Sequence, residues 1–345
     1  MLVKVSQLKT GMVLAESIYR GAIMVLSQGV QLNRRHIDML GQMDLDHVSI
    51  ELKAQVPSFQ PNLQEKYKGA VDKFKAICYE ASLGQVVIYD QVKACLDPLM
   101  KDLEDNPDMA LKLWQIEAAD AYTYEHSVKV CMLTVLLSKW LGLNLETQKA
   151  LGKAALLHDI GKCNIPNEIL NKPDTLTPEE FSVMKTHATL GYVLLSSTKS
   201  LSPEILKGIL HHHERYDGAG YPARLKGDHI PYYARIIAVA DVFDAMTSNR
   251  VYRSKMSPYH VIEIMHGGGG GALDPAITRV FLDHALDFFI GMEVMLSSGE
   301  SGHVHSNNHH MPYRPRIMVD DQVKDLSQDM SIEIKHVVIN QEASS

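Results

Sequence analysis

The stretch Leu156-Leu157-His158-Asp159-Ile160-Gly161-Lys162 constrains this chain more than any other. It closes an apolar run that reads as a buried helix over about 145–158. Adjacent side chains on a helix point roughly 100° apart, so a histidine and an aspartate side by side rarely share one task. A metal ion is one of the few partners that draws both inward. Imidazole nitrogen with carboxylate oxygen suits iron, manganese, zinc or nickel. The doublet alone also admits a plainer reading, in which His158 caps the helix and Asp159 begins the next turn.

The neighbouring helices supply further candidates. His126 opens a helical stripe continued by Val130, Leu133, Leu137 and Leu141. A histidine on such a face is either a hydrogen-bonded core residue or a ligand. Thr177-Pro178-Glu179-Glu180 has the form of a helix start, with an N-cap, a first-position proline and early carboxylates. His187 follows, with Gly191 four residues on. A helix over about 203–213 ends in His211-His212-His213-Glu214, and the turn-rich loop Asp217-Gly218-Ala219-Gly220-Tyr221-Pro222 comes next. A last helix, about 231–247, carries Asp241 and Asp244. A carboxylate after the apolar run Ile236–Ala240 is costly unless it is paired, binds a cation or faces water at the helix boundary. Helical bundles commonly build metal sites from ligands on different helices.

Composition excludes several classes. A chain of 345 residues suggests two or three domains, and an apolar share of 46% fills a real core. The net charge is −7 with no long basic run, which argues against duplex nucleic acid as a partner. The start lacks the apolar core of a signal peptide, and no stretch nears the roughly 20 apolar residues of a membrane helix. Cys78, Cys95, Cys131 and Cys163 lie far apart without a C-x-x-C pair and read as reduced thiols of a cytoplasmic protein. Seventeen histidines is a high count.

The flanks read as small modules. Alternation near 4–6, 12–18, 22–26 and 47–51, with a helix at about 34–43, predicts a structural or regulatory α+β unit over 1–53. Residues 54–117 read as a proline-containing linker to about 62, then connecting helices at about 63–82, 88–105 and 107–118. Residues 118–286 form the helical core. Residues 287–345 read as a small β-rich appendage, with strands near 293–296, 317–319 and 332–336. His303, His305, His309 and His310 fall in a Gly/Ser/Asn-rich stretch expected to be a surface loop.

Over about 118–285 the chain resembles an HD-GYP domain, a branch of the HD phosphohydrolase superfamily. The resemblance rests on His126-Ser127, His158-Asp159-Ile160-Gly161-Lys162, His187 with Gly191, and His212-His213-Glu214 through Gly220-Tyr221-Pro222. It continues through Arg235-Ile236 to Asp241, Asp244-Ala245-Met246-Thr247, and Arg250-Val251-Tyr252-Arg253. It implies a mainly α fold, a helical HD bundle as catalytic core between the α+β and β-rich modules. It also implies a cytoplasmic phosphodiesterase that opens cyclic di-GMP, a bacterial second messenger, to 5′-pGpG, with GMP as a further product left open. The implied metal ligands are His126, His158, Asp159, His187, His212, His213 and Asp241, holding two divalent ions, iron or manganese by family analogy. Some family members hold a third metal through a glutamate four residues before the first histidine. Tyr122 stands there in this chain, so two ions are expected.

In such a site two cations about 3.5–4 Å apart neutralise the phosphodiester and bridge an activated water. Asp159 is the expected bridge and catalytic residue, and Lys162, one turn on, is expected to stabilise charge on phosphate or leaving oxygen. Arg250 and Arg253, three residues apart, are expected to meet substrate phosphates, although an ion pair with Asp244 is an alternative for Arg250. Gly220, Tyr221 and Pro222 are expected at the substrate edge, with protein partners meeting this loop and the flanking modules; a homodimer stays open. The run His266-Gly267-Gly268-Gly269-Gly270-Gly271 departs from the family and lacks the lysine and Ser/Thr of a phosphate loop, so it reads as a turn between helices. Two rivals stand beside this reading: a phosphohydrolase for another cyclic dinucleotide, and a nucleotide-binding regulatory module with little turnover.

Overall fold

The computed structural model describes residues 2–5, 8, 12–20, 23–26, 30, 32, 34–41, 43, 45–51, 61–105, 122–198, 200–248, 256–308 and 310–338. The chain divides into two compact units, Met1–Val56 and Pro57–Ser345. The first contains β1 (Leu2–Lys4), β2 (Val13–Leu14), β3 (Ile18–Arg20), β4 (Ile23–Leu26), α1 (Arg34–Gly41) and β5 (His47–Glu51). β5 lies between β1 and β2, antiparallel to both, and β3 pairs with β4. Leu14, Leu32, Leu40, Val48 and Ile50 form its core. The expected α+β unit is therefore present.

The second unit begins with α2 (Pro61–Ser82) and α3 (Tyr89–Asp105). Pro98 lies inside α3 and has no N–H for the Ala94 carbonyl; the Lys73 ammonium of α2 donates to that oxygen at 3.2 Å instead. The residues proposed for the linker before Pro61 and for the helix near 107–118 lie outside the described residues. Next come α4 (Tyr122–Trp140), α5 (Leu145–Leu157), α6 (Asn167–Leu170), α7 (Pro178–Lys185), α8 (His187–Ser196), α9 (Pro203–His211), α10 (Tyr232–Thr247), α11 (Pro258–His266) and α12 (Pro275–Phe288).

Local chemistry explains several of these boundaries. Asn144 caps α5 by accepting from the Thr147 amide. Thr177 and Glu180 form a reciprocal capping box at α7 with Pro178 at its first turn, as the sequence predicts. Ser202 and Asp274 cap α9 and α12. The apolar stripe expected on α4 is a solid cylinder: Val128, Val130, Cys131, Met132, Val135, Leu136 and Leu137 are all buried. A helix apolar all round sits at the centre of its domain. Helices α2, α5 and α10 pack against it. α2 touches its start, where Phe74 meets Tyr124 edge-on at 6.4 Å.

The C-terminal strands are β6 (Glu293–Leu296), β7 (Ser301–Ser306), β8 (Arg316–Val319), β9 (Gln322–Asp325) and β10 (Ile334–Val337). They form one antiparallel sheet in the order β10-β6-β7-β8-β9. The expected C-terminal β-rich module is present, and its buried residues Val294, Leu296, Val304, Ile317, Val319, Ile334 and Val337 join the core of the helices. One expectation is corrected here. His303 and His305 belong to strand β7, not to a loop. Gly302 and Val304 face inward between them, and the polar composition hid that two-residue alternation. His310 is exposed outside the strands, and His309 lies outside the described residues. Among the described residues no helix is long and apolar enough to cross a membrane.

Candidate metal centre

His158 and Asp159 straddle a break in the helix. α5 ends at Leu157; His158 is its C-cap, in helical conformation, and Asp159 leaves it at φ −99°, ψ 5°. A 3-10 turn over Ile160–Asn164 follows. The two side chains escape the helical 100° offset because the helix stops between them. His158 caps the helix, and both side chains face one centre.

Two glycines bring the next ligand in. A Cβ on Gly161 would lie 2.0 Å from the His187 carbonyl oxygen and 2.5 Å from the Gly191 amide nitrogen. Only a glycine allows the 3-10 turn to dock on the start of α8 this closely. That docking sets His187 Nε2 3.2 Å from Asp159 Oδ1.

Four histidines share one orientation. Nδ1 of His158, His187 and His212 each bonds a carbonyl three residues earlier: Ala155 at 2.6 Å, Met184 at 2.7 Å and Ile209 at 2.6 Å. Nδ1 of His126 bonds Asp244 Oδ2 at 2.7 Å. These outer contacts turn the Nε2 atoms toward the centre. His126 Nε2 lies 3.1 Å from Asp241 Oδ1 and 3.7 Å from Asp159 Oδ2; His158 Nε2 is 3.3 Å from Asp159 Oδ2; His187 and His212 Nε2 are 3.4 Å apart. Two sets of donor atoms gather tightly enough to hold an ion: His126, His158 and Asp159, and Asp159, His187, His212 and His213. Asp159 belongs to both.

The donor set fits divalent cations. His158 Nε2 and Asp159 Oδ1 are buried without a hydrogen-bond partner. Buried polar atoms pointed at other lone-pair atoms, instead of at donors, are costly unless a cation joins them. Nitrogen and oxygen donors of this kind suit first-row transition metals.

Charge in the site is arranged accordingly. Burial works against ionised Asp159, yet Lys162 and then His158 hold its carboxyl well below the usual range. Burial likewise opposes ionised Asp241, and the hydrogen bond and charge of His126 keep it well below the usual range. Burial disfavours a charged His126, but its bonds to Asp241 and Asp244 outweigh burial and hold its pKa up to about 9. Burial pushes His213 down to about 3 and His212 well below its ordinary value, leaving both rings neutral, the ligand form.

Of the expected ligands, six fall in the two donor sets, and Asp241 adjoins them through His126. Lys162 Nζ bonds Asp159 Oδ2 while its side chain stays 23% exposed, at the rim. His211 is turned aside toward Glu214. The Tyr221 ring lies 4.8 Å from that of His213 and 6.5 Å from that of His187, and its bond to Pro222 is cis. Gly218 has φ +87°, as expected of a turn glycine. Gly220 needs glycine for a different reason: a Cβ would sit 2.3 Å from the Arg215 amide nitrogen and 2.6 Å from the His213 carbonyl. Arg250 and Arg253 lie outside the described residues, as does the side chain of Tyr122.

Two residues named in the sequence carry roles that the sequence did not show. Asp244 orients His126; its i,i+3 spacing from Asp241 put both carboxylates on one helix face and was the available signal. Buried Glu214 accepts from the amides of Ala223 at 2.7 Å and Leu225 at 3.0 Å, fastening the loop that carries Tyr221. Nothing in its sequence position announced that role.

Histidines and an aspartate turned inward from the ends of a helical bundle define an HD-type centre, and residues 115–277 match the family model described as HD domain. That stretch of the chain is an HD domain. The chain is 35% identical over 240 residues to a cyclic di-GMP phosphodiesterase of Pseudomonas aeruginosa, covering 70% of this chain and 58% of that protein. It is 41% identical over 175 residues to a 3′3′-cGAMP-specific phosphodiesterase of Vibrio cholerae, covering 50% of this chain and 40% of that one. The chain thus spans only about half the length of these relatives. An HD-GYP-type protein of Bdellovibrio bacteriovorus shares the fold, with a TM-score of 0.55 at 16% identity over 82% of this chain and 98% of that one.

Proposed function

We propose that this chain hydrolyses a phosphodiester bond of cyclic di-GMP, releasing 5′-pGpG, with two divalent metal ions, iron or manganese, at the centre described. The observation that carries the reading is Asp159, shared by two sets of inward-facing donors. Divalent ions bound there would supply positive charge to a phosphodiester and make a water acidic enough to attack it.

The protein's own groups do the rest. His126, His158 and Asp241 form one side with Asp159; His187, His212 and His213 form the other. Asp244 and the three backbone carbonyls fix the rings of His126, His158, His187 and His212. Lys162, at the rim beside Asp159, is the cation placed to meet a phosphate or leaving oxygen. Tyr221 closes the edge next to His213. Arg250 and Arg253 keep their proposed role as phosphate contacts, on spacing and guanidinium chemistry.

A second substrate has a specific observation in its favour. Relatives named as 3′3′-cGAMP-specific match at 41% and 34% identity, comparable to the cyclic di-GMP relatives. The test is one sample, purified without oxygen, measured for bound metal and offered both cyclic dinucleotides side by side. The reading expects two ions per chain and pGpG from cyclic di-GMP. Faster turnover of 3′3′-cGAMP would transfer the assignment to that substrate. Tight binding of either nucleotide without product would make the chain a nucleotide-responsive binding module.

A further inference from the structure

The five-glycine run lies between α11 and α12, outside the donor sets of the metal centre. Gly268, Gly269, Gly270 and Gly271 have φ of +79°, +54°, +66° and +80°. Four consecutive residues in the left-handed region are accessible only to glycine. The run is pinned at one end by α11 and at the other by the Asp274 cap of α12. Its shape presents three successive carbonyls to one strand of the loop that follows His213. The Arg215 guanidinium donates to Gly270 O at 3.0 Å, the Asp217 amide to Gly271 O at 2.9 Å, and the Tyr216 amide to Ala272 O at 2.8 Å.

The contact is carried onward by side chains. Arg215 holds both carboxylate oxygens of Asp217, at 3.2 and 2.7 Å, and Asp217 accepts from the Ala219 amide at 2.8 Å. A Cβ on Gly271 would lie 3.3 Å from Asp217 Cβ and Oδ2. Two residues past Ala219 stands Tyr221, whose amide donates to His213 O at 3.2 Å and whose ring faces the His213 ring. The loop is thus clamped twice: by Glu214 on Ala223 and Leu225, and by the glycine turn on Arg215, Tyr216 and Asp217.

We propose that the glycine turn is a positioning device for the substrate edge, with Asp217 as the positioning residue that transmits its placement to Tyr221. It governs how the cyclic dinucleotide is seated and leaves the metal ligands where they are. The inference rests on the functional reading above, because a seated substrate presupposes that site.

The test uses the full chain loaded with metal and four variants. Gly271→Ala crowds Asp217, Asp217→Ala removes the link, Asp217→Asn keeps an acceptor for Ala219, and Gly267→Ala alters a glycine of ordinary φ with no close neighbour. Amide hydrogen exchange is followed in peptides covering 219–225 and 158–162, beside metal content and the kinetic constants for the better cyclic dinucleotide. In Gly271→Ala and Asp217→Ala, exchange at 219–225 should speed up while 158–162 and metal content hold. KM should rise about tenfold, the loss of one good contact, with kcat changing less. Asp217→Asn should recover most of the KM, and Gly267→Ala should match the parent. Unchanged exchange at 219–225, or metal lost in step with it, overturns the proposal. If Gly271→Ala does not fold, the pair Asp217→Ala and Asp217→Asn decides the link, since neither changes a glycine of the turn. A parent protein that turns over neither dinucleotide sinks the functional reading instead, and the exchange data then decide the link between turn and loop alone.

Discussion

The helical centre and the C-terminal sheet both carry several histidines, and they use them in opposite ways. In the centre, His126, His158, His187 and His212 are buried, each with Nδ1 tied to an outer acceptor. In the sheet, His303 and His336 are exposed on the outer face of β7 and β10, while the inner face is apolar. Histidine number is therefore no guide to metal chemistry. What separates the two regions is the outer acceptor: a ring held at Nδ1 offers Nε2 in one direction at no further entropic cost, whereas an exposed ring must be ordered on binding. Three of the four outer acceptors are carbonyls in the last turns of helices, where the regular i,i+4 partner is missing. A strand's carbonyls are used by its neighbours.

The largest predicted effect breaks the centre outright. Asp159→Ala removes the carboxylate common to both donor sets, so turnover should fall to background and metal content should drop at both positions. Metal analysis and product release checks this; retention of full turnover would falsify the shared role of Asp159. Gly161→Ala comes next. Its Cβ would collide with backbone, not with a side chain that could swing away, so the 3-10 turn must lift from α8. A loss of about 3 kcal/mol or more is expected in thermal or urea unfolding, with His187 displaced from Asp159. Stability equal to the parent would mean that the close approach is not needed.

Asp244→Ala tests the outer acceptor itself. His126 keeps its position in α4 but loses the group that fixes its ring, and metal affinity should weaken about 10- to 100-fold. Asp244→Asn keeps an acceptor for Nδ1–H and should lose less. Equal affinity in all three proteins, measured by competition with a chelator, would show that ring orientation comes from packing alone.

The sequence was most legible where chemistry and spacing coincide. The HD doublet and the capping box at Thr177 could be read because each is a residue type with a reason to be where it is, whereas His126, His187, His212 and His213 were assigned as donors only through the family resemblance. Asp241 was legible as a carboxylate behind an apolar run. Asp244 was less so, because its partner lies 118 residues away in the chain and no local pattern reports such a distance. Glu214 binds loop amides, and a backbone partner leaves no mark in the sequence. The glycine run was read as a turn, which it is, but its conformation and the carbonyls it presents depend on the contacts with Arg215, Tyr216 and Asp217. The strand β7 was hidden because its inward residues are Gly302 and Val304, too little apolar signal among histidines and serines.

The smallest predicted effect lies in that strand and completes the comparison. His303→Ala and His336→Ala together should leave metal content and turnover at the parent level. Both rings are exposed, neither falls among the donor sets found in the described residues, and surface changes of this kind stay within about 0.5 kcal/mol. The informative outcome is a drop in bound metal. It would mean that exposed strand histidines recruit an ion without a fixed Nδ1 partner, and the distinction drawn between the two regions would then rest on burial and not on orientation.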